Sequence, residues 1–183
     1  MKTQINHVLR YFKRVYLLSL SADNQDKTAW RQLKKLHVDA GWKSGIYESE
    51  KQIVAVFEIG NEKSAKFGYY IENREYHCKV NIVENYLPEM TTDLFILAAH
   101  FNNLLNKGKV EIDVDERIVS YNYRCDLLVP LLYSGEFYDR MLIHHSTSKD
   151  IYWAFEKLIH ENEEPAVIIS DLLNKNKEEK NDK

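Results

Sequence analysis

Four side chains in the C-terminal third carry the chemistry most readily read from this sequence: the adjacent His144 and His145, Glu156, and His160. Glu156 and His160 lie four residues apart, so on a helix they share one face, and imidazole with carboxylate is a familiar ligand set for a transition metal. Adjacent histidines point to different sides of a helix, so only one of the pair can join them. A small metal-dependent enzyme using His145, His160 and Glu156 is one reading of the chain. The structural alternative is a histidine pair at the C-terminal end of a helix spanning roughly 135–145, where the dipole favours a cation.

Asp113, Asp115 and Glu116 form the second cluster, and 113 and 115 would share a strand face. Acids also collect in solvated hairpin turns, and the oxygen-ligand spacing and glycine of a calcium loop are both missing. Neither Cys78 nor Cys125 lies in a CxxC, no GxSxG elbow is present, and the six glycines are dispersed rather than gathered into a phosphate-cradling loop. No cofactor is expected, and no catalytic residue is assigned. Each cysteine sits inside a strand-like run, which reads as a reduced, buried thiol.

The elements that would position these residues follow from hydrophobic period. Ile5, Val8, Leu9, Phe12, Val15, Tyr16 and Leu20 recur at helical spacing, with Arg10, Lys13 and Arg14 on other faces. After a polar break at 21–25, Asp26 is a candidate cap for a second helix that uses Trp30, Leu33 and either Leu36 or His37 and ends at Gly41. Residues 1–41 are therefore expected to form a helical arm. Strand patterns follow at Ser44–Tyr47 leading into Gln52–Ile59, at Ala65–Ile71 and at Tyr76–Tyr86, with turn signals at Gly60-Asn61 and Glu72-Asn73-Arg74.

Pro88 and Thr91-Thr92 introduce a central helix with Leu94, Leu97, Ala98, Phe101, Leu104 and Leu105 inward, closed by Lys107 and a left-handed Gly108. Beyond Gly108 the period drops to two. Val110, Ile112 and Val114, then Val119, Tyr121, Tyr123 and Cys125, alternate with polar residues across an acidic turn, which predicts a hairpin. Leu127–Leu132, interrupted by Pro130, reads as a strand end and connection. Ser134-Gly135 opens a helix with Phe137, Tyr138, Met141 and Leu142 inward. Thr147 and Asp150 have capping-box spacing and predict the start of another, with Ile151, Tyr152, Ala154, Phe155, Leu158 and Ile159 facing the core. Past Pro165 a short helix is expected over 166–173, and the charged stretch 174–183 is expected to be disordered. The fold class is α+β, an antiparallel sheet of about five strands with helices packed on it, in a domain spanning 42–173.

Composition narrows the function classes. The chain has 183 residues, 44% of them hydrophobic and 29% charged, which suits a globular domain without a disulfide scaffold. No run approaches the roughly 18 apolar residues of a membrane span, and a cytoplasmic location is expected. The formal net charge is −3, but residues 1–40 hold eight Lys/Arg against three Asp/Glu, leaving the acidic excess in the remainder. Nucleic-acid binding through Arg10, Lys13, Arg14, Arg31, Lys34 and Lys35 is a further reading; docking of the basic arm on the chain's own acidic body competes with it.

The order helix, three strands, helix, two strands, helices resembles that of the YbjN family, whose fold is like that of type III secretion chaperones. The residues that carry the resemblance are Asn102-Asn103 on the central helix, Gly108, Val110, Ile112 and Asp113 in the next strand, the acidic turn at Asp115-Glu116, and Tyr123-Arg124 in the returning strand, followed by Leu127–Leu132 and a final pair of helices. It covers roughly residues 42–162. The turn here, Asp115-Glu116-Arg117, lacks the usual glycine, and the two helices before residue 41 go beyond the family core. The resemblance implies a non-enzymatic, homodimeric binding module with a regulatory or chaperone-like role that holds an extended segment of a protein partner. The strand tyrosines Tyr47, Tyr69, Tyr70, Tyr121 and Tyr123 are candidates for an interface on the sheet's outer face, and for any one of them residence in the core is the favoured alternative.

Overall fold

The period-two runs form a six-stranded antiparallel sheet in the order β1-β2-β3-β4-β6-β5, with β1 Ser44–Tyr47, β2 Gln52–Gly60, β3 Lys63–Glu72, β4 Glu75–Glu84, β5 Lys109–Asp113 and β6 Ile118–Asp126. Among the described residues the α-helices are α1 Lys2–Ser19, α2 Ala22–Asp39, α3 Thr91–Leu104, α4 Leu128–Leu132, α5 Glu136–Glu156 and α6 Pro165–Asn181, with a 3-10 turn at Pro88–Met90 and a π-helical turn at Lys157–Glu161. The computed structural model describes residues 2–60, 63–133 and 135–181, with side chains described over 8–60, 63–133 and 135–175. Asn61 of the expected Gly60-Asn61 turn, Ser134 ahead of Gly135 and the last two residues lie outside that set. The sheet has one strand more than expected. Ser44–Tyr47 does not lead into the next run but folds back on it in register Ser44↔Ala55 to Tyr47↔Gln52, through a turn in which Lys51 takes φ 48°.

Packing divides the chain into two units, Met1–Val56 with Gly68–Cys78 and Arg124–Ile143, and Phe57–Phe67 with Lys79–Tyr123 and His144–Lys183. In the first, Ala29, Trp30 and Leu33 of α2, Ile53, Ala55, Tyr69, Ile71, Tyr76 and Cys78 of the strands, and Leu127, Leu131, Phe137 and Met141 are buried. Its α2 starts earlier than expected. Ser21 is the cap, its hydroxyl accepting from the Asn24 amide at 3.4 Å, and Asp26 lies a full turn inside. Asp26 is used elsewhere: Oδ1 accepts from the Arg74 backbone amide at 3.2 Å, while Gln25 Oε1 accepts from Arg74 Nε at 3.0 Å. Asn73 and Arg74 both have positive φ, 51° and 63°, as a two-residue hairpin turn requires, so α2 holds the β3–β4 turn in a conformation non-glycine residues resist. The other end of Gln25 donates to Leu17 O at 2.8 Å and Leu20 O at 3.3 Å, satisfying carbonyls left open at the end of α1.

α1 turns its apolar stripe outward. It packs on α4 through its basic side, with Lys13 Nζ donating to Leu132 O at 3.2 Å and the Arg10 guanidinium 5.6 Å from the Tyr133 ring centroid. Of its apolar residues Leu17 is buried, while Val8, Leu9, Phe12, Val15 and Tyr16 face out. α4 is itself a correction, a short helix where a strand end and connection was expected. Pro130 falls in its first turn, where a missing N–H costs nothing, and Asp126 Oδ1 accepts from the Leu128 amide at 2.7 Å.

In the second unit, Leu94, Leu97, Ala98 and Phe101 of α3 are buried with Ile59, Phe67, Val80, Ile82, Val110, Val119, Tyr121, Ile151, Phe155 and Ile168. The helix ends at Leu104, which is exposed, and Leu105 is extended. Gly108 therefore does not cap it. Instead Gly108, at φ 78°, admits β5 under β6: a Cβ there would lie 2.7 Å from Asn122 O and 2.8 Å from the Tyr121 ring. The link between helix and strand is Asn102. Its Nδ2 donates to Val110 O at 3.0 Å and its Oδ1 accepts from Val110 N at 2.7 Å, so one carboxamide stands where a neighbouring strand would.

No helix begins at Thr147. Phe137, Met141, His144, Ser148, Ile151 and Phe155 are all buried at spacings of four and three, a continuous stripe along α5, and Ser148 Oγ donates to His144 O at 2.6 Å within the helix. α6 runs to Asn181, through most of the stretch expected to be disordered; Lys, Glu and Asn followed by more Lys supply enough helix propensity to extend a helix already started.

Replacing Asn102 by Ala leaves the Val110 amide and carbonyl without their side-chain partner and is expected to lower unfolding free energy by about 1–3 kcal/mol. Gly108→Ala is expected to cost at least about 2 kcal/mol through the positive φ and the clash with Asn122 O. Urea unfolding followed by circular dichroism measures both, and a shift below about 0.5 kcal/mol in either would contradict the joint described here.

Candidate functional site

The second unit presents an open groove of about 790 Å³ between the outer side of α3 and the β5–β6 hairpin. Phe95, Ala98 and Ala99 form one wall, Val110, Ile112, Val114 and Ile118 another, and Asn102 closes one end. Phe95 and Val114 are about half exposed, as is Ile96 beside them. Lys79, Lys109, Glu111 and Asp113 supply charges of both signs at the rim. β5 stands at one end of the strand order, so its outward edge has no strand neighbour. Asn102 covers that edge at Val110 only; by the parity of an antiparallel ladder the next outward-facing backbone groups belong to Ile112.

The signal for this groove was present in the sequence. Leu94-Phe95-Ile96-Leu97-Ala98-Ala99 is apolar all round rather than along a stripe, so a helix built from it has an apolar side left over once Leu94, Leu97 and Ala98 are buried.

The hairpin acids serve the turn. Asp113 Oδ1 accepts from the Glu116 amide at 3.0 Å, and the left-handed position that a glycine would fill falls to Arg117 at φ 54°. Of the interface tyrosines, Tyr69, Tyr121 and Tyr123 are buried, not on an outer face. Tyr121 donates from its hydroxyl to Lys107 O at 3.1 Å. Tyr70 is half-buried, its ring stacked on His77 with centroids 4.5 Å apart and planes within 6°. Tyr47 is exposed on edge strand β1, with its ring turned back over Gly45. The parity was read correctly along each strand, but which face the helices cover is not written in a period of two.

Glu156 and His160 do face one another, Oε2 to Nε2 at 3.4 Å. His145 does not join them: its Nε2 donates to Glu58 O at 2.8 Å and its ring meets Phe57 and Phe67. His144 is fully buried, stacked on Tyr121 at 4.8 Å and edge-on to Phe67 at 5.7 Å, with Nε2 directed at Tyr121 O at 3.4 Å. Among the described residues no three His, Cys, Asp or Glu converge as metal ligands. The basic residues of the arm are largely engaged within their own unit: Lys34 with Glu48 at 2.7 Å, Lys35 with Asp39 at 2.6 Å, Lys13 and Arg10 on α4 and Tyr133. Cys78 is buried and forms no disulfide with the half-buried Cys125; burial pushes the Cys78 thiol up, which leaves it protonated.

No family profile matches the sequence, and no curated protein matches it. Solved structures do. The chain has the fold of YbjN. Against that candidate transcription regulator from E. coli, the TM-score is 0.51 at 12% identity, covering 72% of this chain and 92% of the other. A chain of the ExsC–ExsE complex aligns with a TM-score of 0.52 at 13% identity, covering 73% of this chain and 95% of its own. The expected resemblance therefore holds at the level of fold, an α+β chain with six strands in place of five. No helix among the described residues is long and apolar enough to cross a membrane.

Burial sets the histidines' protonation. It holds His144 down at about 3, against a small opposing effect of the Tyr121 carbonyl, and His37, set among the rings of Trp42 and Tyr69, down at about 4. An unfolded histidine titrates near 6.5, so as pH falls below about 6.5 the unfolded chain takes up protons that the folded chain refuses. Stability is expected to be level above about pH 7 and to drop by up to about 1.4 kcal/mol per pH unit per histidine as pH falls toward 4. In urea unfolding across that range, His144→Gln is expected to show a shallower slope than the natural chain. An unchanged slope would mean that His144 is protonated in the fold.

Proposed function

We propose that this chain is a cytoplasmic, non-catalytic protein-binding module with a chaperone-like or regulatory role, working as a dimer, and that the α3–β5 groove receives an extended segment of its partner. The groove is the observation that carries the reading. It places half-exposed Phe95 and Val114 beside an edge strand whose backbone at Ile112 can pair with an incoming chain, the combination used in strand-addition recognition: main-chain bonds for affinity, side-chain pockets for selection. Asn102 limits such pairing to the half of β5 beyond Val110, which keeps the edge from templating indiscriminate association. The likeness to a chain crystallised within the ExsC–ExsE complex, and to YbjN, supports the same reading. Tyr47 and Tyr70 remain candidates for further contact on the sheet. Tyr69, Tyr121 and Tyr123 are withdrawn from it by their burial.

Cross-linking and affinity capture with the full chain test the proposal. A partner held by the natural chain is expected to bind at least about tenfold more weakly to Phe95→Glu and to Ile112→Pro, with circular dichroism unchanged for the former. Equal retention of the partner by natural and variant chains, or no partner at all, would remove the groove from the account.

A further inference from the structure

α1 carries a second apolar surface, and it points away from the protein. Val8, Leu9, Tyr11, Phe12, Val15, Tyr16 and Leu18 are each 48–65% exposed. At 100° per residue they fill an arc about 180° wide, while Arg10, Lys13 and the buried Leu17 lie on the opposite side against α4. A surface helix normally turns its apolar side inward, so an inverted helix of this kind is built for an occupant outside its own unit.

The arc is patterned for another helix. Val8, Phe12, Val15 and Ser19 recur at spacings of four, three and four, the seam of a coiled coil, and apolar residues flank it on both sides: Leu9 and Tyr16 on one, Tyr11 and Leu18 on the other. Given the exposures and the side-chain sizes, the arc offers on the order of 800 Å² per copy, the share each partner contributes to an interface of standard size and more than the roughly 300–600 Å² patch of an ordinary monomer. It contains no charged residue. Arg10 and Lys13 are turned toward α4, which separates them from anything seated on the arc, while the exposed Arg14 lies about 40° beyond the border at Leu18. A headgroup surface would want them at the arc's borders, yet Arg10 and Lys13 are already occupied.

We infer that α1 is a homotypic interface: two copies of this chain join by antiparallel packing of their α1 arcs about a two-fold axis near Phe12. An isologous contact requires a surface that fits itself, and an uncharged apolar arc meets that requirement. The antiparallel sense opposes the two helix dipoles and keeps the two sets of cations on the outer sides of the pair. The inference deepens the reading above, since it names the surface of the dimer proposed there, and none of its residues lines the groove.

Size exclusion coupled to light scattering on the full chain at high micromolar concentration tests it, with Phe12→Asp and Val15→Asp as variants. Both positions are exposed, so the far-ultraviolet circular dichroism and thermal midpoint of the variants should match those of the natural chain. The expected result is a dimer whose mass halves in each variant, together with rapid oxidative cross-linking of Phe12→Cys across the two-fold axis. A dimer that persists in both variants overturns the α1 interface and leaves the dimeric reading standing. A natural chain that is monomeric overturns the inference and the dimeric part of that reading together. Sedimentation of that monomer with phosphatidylserine vesicles, abolished by Phe12→Asp, would assign the arc to lipid. Loss of a captured partner protein in Phe12→Asp would assign it to that partner.

Discussion

The carboxamide of Asn102 is the constraint on which the second unit depends. One side chain, leaving α3 in its last turn, occupies both the donor and the acceptor of Val110 and so fixes where β5 lies relative to the helix. The register of the hairpin then places Val110 opposite Tyr121, whose hydroxyl reaches back to Lys107 and whose ring covers Gly108. Tyr121 in turn is the platform on which His144 of α5 stacks. A helix, an edge strand, an inner strand and a second helix are thereby held in sequence by polar and aromatic contacts, each of which presupposes the one before it. The groove exists because this chain of contacts sets the separation between α3 and β5.

Residue types associated with catalysis are used here as construction. His144 and His145 direct ring nitrogens at the backbone carbonyls of Tyr121 and Glu58, and burial keeps the His144 ring neutral in its apolar setting. Asp26 and Gln25 hold the main chain and side chain of Arg74 in a left-handed turn, and Asp113 closes the acidic turn on itself. In each case a polar group satisfies a backbone group that folding would otherwise strand, and a buried unpaired amide or carbonyl is among the more expensive defects a fold can carry.

Element type was legible in the sequence wherever one period ran uninterrupted. The alternation of Phe67, Tyr69 and Ile71 and the helical stripe of Leu94, Leu97, Ala98 and Phe101 both appear as read. Boundaries failed where a local signal competed with a longer-range use of the same residue. Asp26 looked like a cap and is a clamp on the β3–β4 turn; Thr147 looked like a start and lies within a continuous stripe; Gly108 looked like a helix stop and makes room for Tyr121. Facing was not legible, because periodicity says that two sides differ and not which side is covered. That is why Tyr69, Tyr121 and Tyr123 went inward and the apolar arc of α1 went outward.

The joints of this fold share an asymmetry: a side chain on one element holds the main chain of another. Asn102 holds Val110, Tyr121 holds Lys107, His145 holds Glu58, and Gln25 holds Leu17. Main-chain atoms are common to every residue type, so these contacts constrain the identity of the first member of each pair and not that of the second. Divergence can then proceed through one half of every such contact without altering the architecture, and similarity scored letter by letter decays much faster than similarity of path. A chain that keeps the course of YbjN over most of its length at 12% identity is what this kind of construction permits.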